Sequence, residues 1–350
     1  MNVRRVTAHE TNPPHWRRWL RALGNLLLWT VLLGLNAWAM VALWVDMRVT
    51  WLRLPLAAGF AAAVLAVAFC VRRRALAKAL CFGAFAAVLG WWLCLQPSND
   101  REWRRDVALL PWAETAGDLV TVHHIRNCDY RTETDFDVRH YDRVYDLRKL
   151  QSVDFLLVNW GVPLISHTLV SFGFEGGQFL CVSIETRMER GESYSALKGF
   201  FRQFELTYVI GDERDLVRLR ANHRQGEEVW LYRVRIAPER GRALLLDYLR
   251  RANSLREQPE WYNALTSNCT TNIRLHGQAA AHRRGAFDWR ILLNGDVDQF
   301  LYERGRFAST LAFAELKKRS HINTAARAAD TDPEFSTRIR AGLPGMGSNL

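Results

Sequence analysis

The sequence predicts an α+β protein: three N-terminal transmembrane helices, then a domain with an antiparallel sheet and a helix bearing a cysteine. Three observations predict it. Uncharged apolar runs dominate the first hundred residues, an alternating hairpin pattern runs from Ser166 to Arg187, and a capped helical start lies at Asn268-Cys269.

The membrane part comes first in the chain. No side chain from Leu23 to Val45 carries a charge, and Leu54 to Val71 and Ala79 to Leu95 are two further uncharged runs. At about 1.5 Å per residue each is long enough to cross a bilayer. A secretory signal has a shorter apolar core followed by a small-residue cleavage site, so the first run reads as a span and not as a leader. Arginines set the expected orientation. Arg4, Arg5, Arg17, Arg18 and Arg21 precede the first span, and Arg72, Arg73, Arg74 and Lys78 separate the second from the third. Basic loops stay cytoplasmic, which places residues 1–22 inside as a basic tail, 23–95 as the anchor and everything beyond in the periplasm of a bacterial inner membrane. The net charge of +11 is concentrated in that first part. The remainder is near neutral and has no basic stripe, so nucleic-acid binding is excluded.

Residues 96–118 read as a juxtamembrane linker with Trp103 and Trp112 near the interface. A folded domain is expected over 119–320. Leu119 to Arg126 has strand character, and Asn127 to Leu147 is a charged stretch expected to form solvated loops. The hairpin arms alternate as Thr168-Val170-Phe172-Phe174 and Leu180-Val182-Ile184 about Glu175-Gly176-Gly177. That register sets Phe174 opposite Gln178, Ser171 opposite Cys181, Leu169 opposite Ser183 and His167 opposite Glu185. The last pair brings an imidazole and a carboxylate within hydrogen-bonding reach. A short helix over Tyr194 to Gln203, strands over Glu205 to Ile210 and Glu228 to Ile236, and a helix over Gly241 to Glu257 follow. Helices over Asp296 to Arg304 and Thr310 to Arg319 complete the domain. Residues 321–350 lack periodicity and are expected to be disordered.

Candidate chemistry centres on Cys269. Only Cys128, Cys181 and Cys269 lie beyond the spans, an odd number, so in an oxidising compartment one thiol stays unpaired within the chain. With Asn268 as cap, Cys269 occupies the first helical turn, where free N–H groups stabilise a thiolate and an oxyanion. A thiol nucleophile needs a base and the base an orienting group; His167 and Glu185 fit those roles, with Ser183 on the same face. His276 is a rival base, but two helical turns put it about 10 Å along the axis from Cys269. No phosphate loop, serine elbow or paired C-x-x-C is present. His123-His124 point to opposite faces of a strand, so no metal is expected, and no cofactor.

The strings Ser166-His167-Thr168-Leu169-Val170-Ser171-Phe172-Gly173-Phe174, Ser183-Ile184-Glu185-Thr186-Arg187, Phe201-Arg202-Gln203-Phe204-Glu205, Asp212-Glu213-Arg214 and Tyr262-Asn263-Ala264-Leu265-Thr266-Ser267-Asn268-Cys269-Thr270-Thr271-Asn272 together resemble the Lnb-type periplasmic domain family. The likeness extends from about Leu119 to His276 and takes in Arg126-Asn127-Cys128-Asp129-Tyr130. It implies a permuted papain-like (NlpC/P60-like) thiol domain, with the histidine strand before the cysteine helix. It also implies lipoprotein N-acylation: an acyl chain moves from a membrane phospholipid to Cys269 as a thioester and then to the amine of a lipoprotein. His167 would be the base and Glu185 its orienting group, with Asn268, Ser183, Arg126, Asp129 and Tyr130 supporting. A thiol amidase or peptidase acting on cell-wall peptide and a non-catalytic membrane-anchored binding domain are the alternatives.

Overall fold

A computed structural model describes residues 15–162, 164–281, 288, 290 and 294–347. The chain divides into two compact units between Gln96 and Pro97. The first contains α1 (His15–Asp46), α2 (Thr50–Cys70) and α3 (Arg74–Cys94), all long and apolar enough to cross a membrane. Leu26, Leu27, Leu65 and Phe69 are exposed on their outer surfaces, whereas the small Ala39, Ala42, Ala77 and Cys81 are buried between helices. Small residues let helix backbones approach where lipid offers no hydrophobic contrast. Polar links join α1 to α3, among them the Asn36 amide donating to the Cys81 carbonyl at 3.1 Å. Trp92 of α3 donates to Asp46 at the end of α1 at 2.6 Å. Arg4 and Arg5 lie outside the described residues.

The second unit is built on an eight-stranded sheet. Its strands are β1 (Trp112–Ala116), β2 (Leu119–Arg126), β5 (His140–Asp146), β6 (Leu150–Asn159), β7 (Ser166–Phe174), β8 (Gln178–Arg187), β9 (Glu205–Gly211) and β10 (Glu228–Arg233). They follow the order β1-β2-β9-β8-β7-β6-β10, with β5 beside β2. Two short strands, β3 (Asp129–Tyr130) and β4 (Phe136–Asp137), pair separately. The sheet is mixed and not wholly antiparallel as expected, because β2 meets β9 in parallel at Arg126 and Gly211.

Both faces of this sheet are buried. Val170, Phe172, Val182, Ile184 and Tyr208 face α5 (Pro238–Glu257) and α6 (Cys269–Ala281). The apolar positions of α5 recur at helical spacing, Leu245, Leu249 and Ala252 among them, and Pro238 starts it where a missing N–H costs nothing. Leu169, Cys181 and Val209 face the other way, against α4 (Glu213–Arg218), α9 (Asn323–Ala328) and α10 (Phe335–Arg338). A third cluster joins Phe155, Leu157 and Tyr232 to α7 (Val297–Glu303) and α8 (Phe313–Arg319).

Four segments differ from expectation. The expected linker of 96–118 is, from Pro97 on, part of the second unit. Trp103 is buried beneath the Arg187 guanidinium, 4.1 Å from the ring centroid, and Arg187 donates to the carbonyls of Val107 and Ala108. The charged stretch of 127–147 contributes β3, β4 and β5 because Tyr130, Phe136 and Cys128 bury a small apolar cluster with Leu219. Only one 3-10 turn, Lys198–Phe200, forms within 194–203.

The tail is the largest correction. Through residue 347, the segment expected to be disordered is folded onto the sheet. Ile322, Phe335 and Ile339 are buried there, and the backbone on either side of His321 pairs with β10. Arg340 then bonds Asp154 at 2.8 Å and Glu213 at 2.7 and 2.8 Å, all three buried. Short helices held by one buried ion network leave no periodic signature in sequence.

Candidate functional site

The hairpin turn needs its two glycines, since Gly176 and Gly177 have φ of +80° and +71°. The register set by that turn gives Phe174 opposite Gln178, Ser171 opposite Cys181 and Leu169 opposite Ser183. There the ladder stops. Beyond it β7 runs on with β6, His167 opposite Val158, while β8 runs on with β9, Glu185 opposite Thr207. The strands therefore part before His167 and Glu185, and these two are not a ladder pair.

Ser183 bridges the opening. His167 Nε2 lies 2.8 Å from Ser183 Oγ, and Ser183 donates to Glu185 Oε1 at 2.6 Å. Direct separation of imidazole and carboxylate is 3.9 Å. The single hydroxyl proton of Ser183 goes to Glu185, so His167 Nε2 must carry the hydrogen it shares with Ser183, leaving Nδ1 as the ring's free acceptor. Arg220, from the π-helical turn Leu219–His223, donates to Glu185 Oε1 at 2.7 Å. Burial works to raise the Glu185 carboxyl, but the Arg220 charge prevails and holds it well below the usual carboxylate range. Burial and the Arg220 cation push His167 down to about 3. At neutral pH the ring is neutral and a weak proton acceptor.

Cys269 occupies a different environment. It is the first residue of α6, a helix of 13 residues, and is 8% exposed. Asn268 caps that helix: its Oδ1 accepts the Thr271 N–H at 2.9 Å, and Thr271 Oγ1 accepts the Asn268 N–H at 2.9 Å. The sulfur is 3.8 Å from Thr270 Oγ1 and 3.9 Å from Asn294 Nδ2. Asn294 fastens the head of α6 to the start of β7. Its amide donates to Thr270 Oγ1 and the Ser166 carbonyl, both at 2.6 Å, and its Oδ1 accepts the Ser166 N–H at 2.8 Å. Nothing local in the sequence marks Asn294, since its partners lie 24 and 128 residues away.

These two groups use opposite sides of the sheet. His167 shares its side of β7 with Leu169 and Ser171, which face α4. Cys269 belongs to the cluster of Val170, Phe172 and Tyr248 that faces α5. Among the described residues the sulfur bonds Thr270 and Asn294, the imidazole bonds Ser183 and reaches Glu185 only through it, and no hydrogen bond joins Cys269 to His167.

Arg126, Asp129 and Tyr130 lie on the His167 side. Arg126 holds Asp215 through two bonds of 2.9 Å, and Arg218 reaches Asp129 at 3.2 Å and the Tyr130 carbonyl at 2.7 Å. On the Cys269 side His276 links Asp247 to Tyr208, 2.7 Å on either hand, and stacks on Tyr248. Burial lowers its pKa despite the Asp247 carboxylate. Cys128 and Cys181 are free, buried thiols. Burial and then the Asp215 charge raise Cys128 to about 12, and burial with Glu213 raises Cys181 well above its ordinary value. No group of three metal-ligating side chains occurs among the described residues.

Apolar residues are exposed in the segments around Cys269. Tyr194, Leu197 and Phe200 lie in the loop whose Gly199 carbonyl accepts the Ala264 N–H, and Leu265 follows. Val162 and Leu164 are exposed before β7, and the Leu164 carbonyl accepts the N–H of Gly295, next to Asn294.

Residues 137–295 match the family model of the Lnb N-terminal periplasmic domain. That stretch contains His167, Ser183, Glu185, Asn268, Cys269 and Asn294, whereas Arg126, Asp129 and Tyr130 precede it. With the three apolar helices, the match fits a membrane-anchored periplasmic protein of the inner membrane. Neither the curated proteins nor the solved structures contain a match.

Proposed function

We propose that this protein is a membrane-anchored periplasmic thiol acyltransferase that moves an acyl chain from phospholipid through Cys269 to an amine, that of a lipoprotein. The observation that carries the reading is a thiol at the capped head of a helix, in segments that expose Tyr194, Leu197, Phe200 and Leu265. An exposed apolar patch beside a nucleophile suits an acyl chain better than the polar cleft a cell-wall amidase requires. In this reading the domain is periplasmic and the N terminus cytoplasmic, on the arginine distribution of the loops.

The sulfur of Cys269 attacks the ester carbonyl of the lipid, its C–S bond forms as the C–O ester bond breaks, and the proton given up by the thiol ends on the departing lysophospholipid oxygen. The amine then attacks the thioester, the C–N bond forms, and Cys269 regains a proton from that nitrogen. The free N–H groups at the head of α6 are the donors offered to the developing oxyanion. His167 reaches the sulfur only after leaving Ser183, because its ring lies on the opposite side of the sheet; a permuted papain-like catalytic arrangement therefore requires the open end between β7 and β8 to rearrange. A second reading rests on that same placement. If His167 never serves Cys269, the domain is a membrane-anchored binding module.

The full-length protein in nanodiscs with a labelled phospholipid separates the two. The acyltransferase reading expects a hydroxylamine-sensitive adduct that is lost in Cys269→Ser. An adduct that persists in Cys269→Ser removes Cys269 from the chemistry, and no adduct in the wild-type chain favours the binding module.

A further inference from the structure

The Cys269 sulfur has two polar side chains beside it, and the direction of each contact follows from where their hydrogens go. Asn294 is 4% exposed and Thr270 3%, so each polar hydrogen needs a partner inside the protein. The Ser166 N–H donates to one end of the Asn294 amide at 2.8 Å, which fixes that end as the oxygen. The other end is then the NH2. Its two hydrogens lie on the Ser166 carbonyl and on Thr270 Oγ1, 2.6 Å from each, so neither is left for the sulfur at 3.9 Å.

Thr270 Oγ1 accepts one of those hydrogens and has one of its own to place. Among the described residues the Cys269 sulfur, at 3.8 Å, is the one partner left for it. If the thiol donated instead, the hydroxyl hydrogen would be buried with no acceptor. The contact therefore runs from oxygen to sulfur. The His167 imidazole supplies no hydrogen bond here, being held by Ser183 on the other side of the sheet.

We propose that Thr270 is a catalytic residue whose hydroxyl donates to the Cys269 sulfur and holds it as the thiolate, and that Asn294 is the positioning residue that turns the hydroxyl that way. The thiolate is the nucleophilic form, and a hydrogen bond made to the charged form of a group favours that form. Such a bond is about twice as strong as one between neutral partners. The hydroxyl keeps its own proton, and the proton that the thiol gives up does not pass through Thr270. This role rests on the reading of Cys269 as the reacting group and not on its acyl donor or acceptor.

The test uses the full-length protein in nanodiscs and iodoacetamide, a small electrophile that needs no acyl site, with alkylation of Cys269 followed by peptide mass spectrometry at a series of pH values. Thr270→Val keeps the shape and removes the hydroxyl. It should move the rate profile to higher pH and slow alkylation at neutral pH at least about 10-fold, the size of a lost hydrogen bond to a charged group. Thr270→Ser, which keeps the hydroxyl, should restore the wild-type profile. Asn294→Ala should slow the wild-type chain but not Thr270→Val, because it acts through the hydroxyl; slowing of equal size in both would overturn the part given to Asn294. A profile unmoved by Thr270→Val, a Thr270→Ser variant as slow as Thr270→Val, or a wild-type Cys269 that is not alkylated would overturn the proposal. The expected alkylation in a protein that forms no phospholipid adduct would overturn the acyltransferase reading and leave the role of Thr270 standing.

Discussion

On one face of the central sheet Cys269 has tyrosines for neighbours, and its charge adds to burial in raising Tyr248 and Tyr262. On the other, His167, Glu185, Asp154 and Glu213 sit in a web of arginines supplied by Arg220, Arg233 and Arg340. The first face has few charges, Asp247 and the Arg251–Glu260 pair beside Tyr208 among them, and opens onto exposed apolar residues, whereas the second is ionic and closed by the C-terminal helices. The difference teaches that a sheet buried on both sides separates two chemistries that lie one residue apart along a strand. Thr168 of β7 points towards α6 and His167 towards α4, and no short side-chain motion carries one to the other.

The sharpest way to break this comparison is kinetic. If the two faces cooperate, His167→Asn should slow formation of the Cys269 adduct by about 10²–10⁴-fold, the usual worth of a general base. Rates within threefold of wild type, measured by mass spectrometry over time, would leave the faces chemically independent.

The ionic face should be the more fragile. Replacing Arg340 by Ala leaves Asp154 and Glu213 short of a buried cation; removing one partner of such a network costs about 3–5 kcal/mol. A lower melting temperature and new proteolysis within residues 321–347 are the expected readouts.

Acid should act on the same face. His167 has a folded pKa of about 3 against an ordinary 6.5, so the unfolded chain binds a proton between those values that the folded chain does not. Stability is full above pH 6.5 and falls as pH drops towards 3; by pH 5 the share from His167 is about 2 kcal/mol. Glu185, also depressed, adds its loss below its ordinary 4.5. Denaturation at pH 7 and pH 5 should show a smaller difference in His167→Asn than in wild type.

The smallest effect belongs to the Cys269 face. Asn268→Ala removes the α6 cap and should cost about 1 kcal/mol. A larger fall in thiol reactivity towards a small electrophile than in melting temperature would show that the cap serves the sulfur more than the fold.

Local rules made much of this legible. Uncharged runs located the spans, two glycines fixed the hairpin register, and an asparagine before Cys269 marked where α6 begins. Those features depend on neighbours within a few residues, so periodicity, turn geometry and capping reveal them. What the sequence could not assign was which helix covers which face. Both faces of β7 and β8 are buried, so alternation defines two sides without saying that α6 takes one and the α4 helix the other. Asn294 beside the sulfur, Arg220 on Glu185 and Arg340 across Asp154 and Glu213 come from distant parts of the chain. Tertiary packing alone selects them, because a buried carboxylate or an open strand end is satisfied by whichever donor the fold brings near, whatever its distance in sequence.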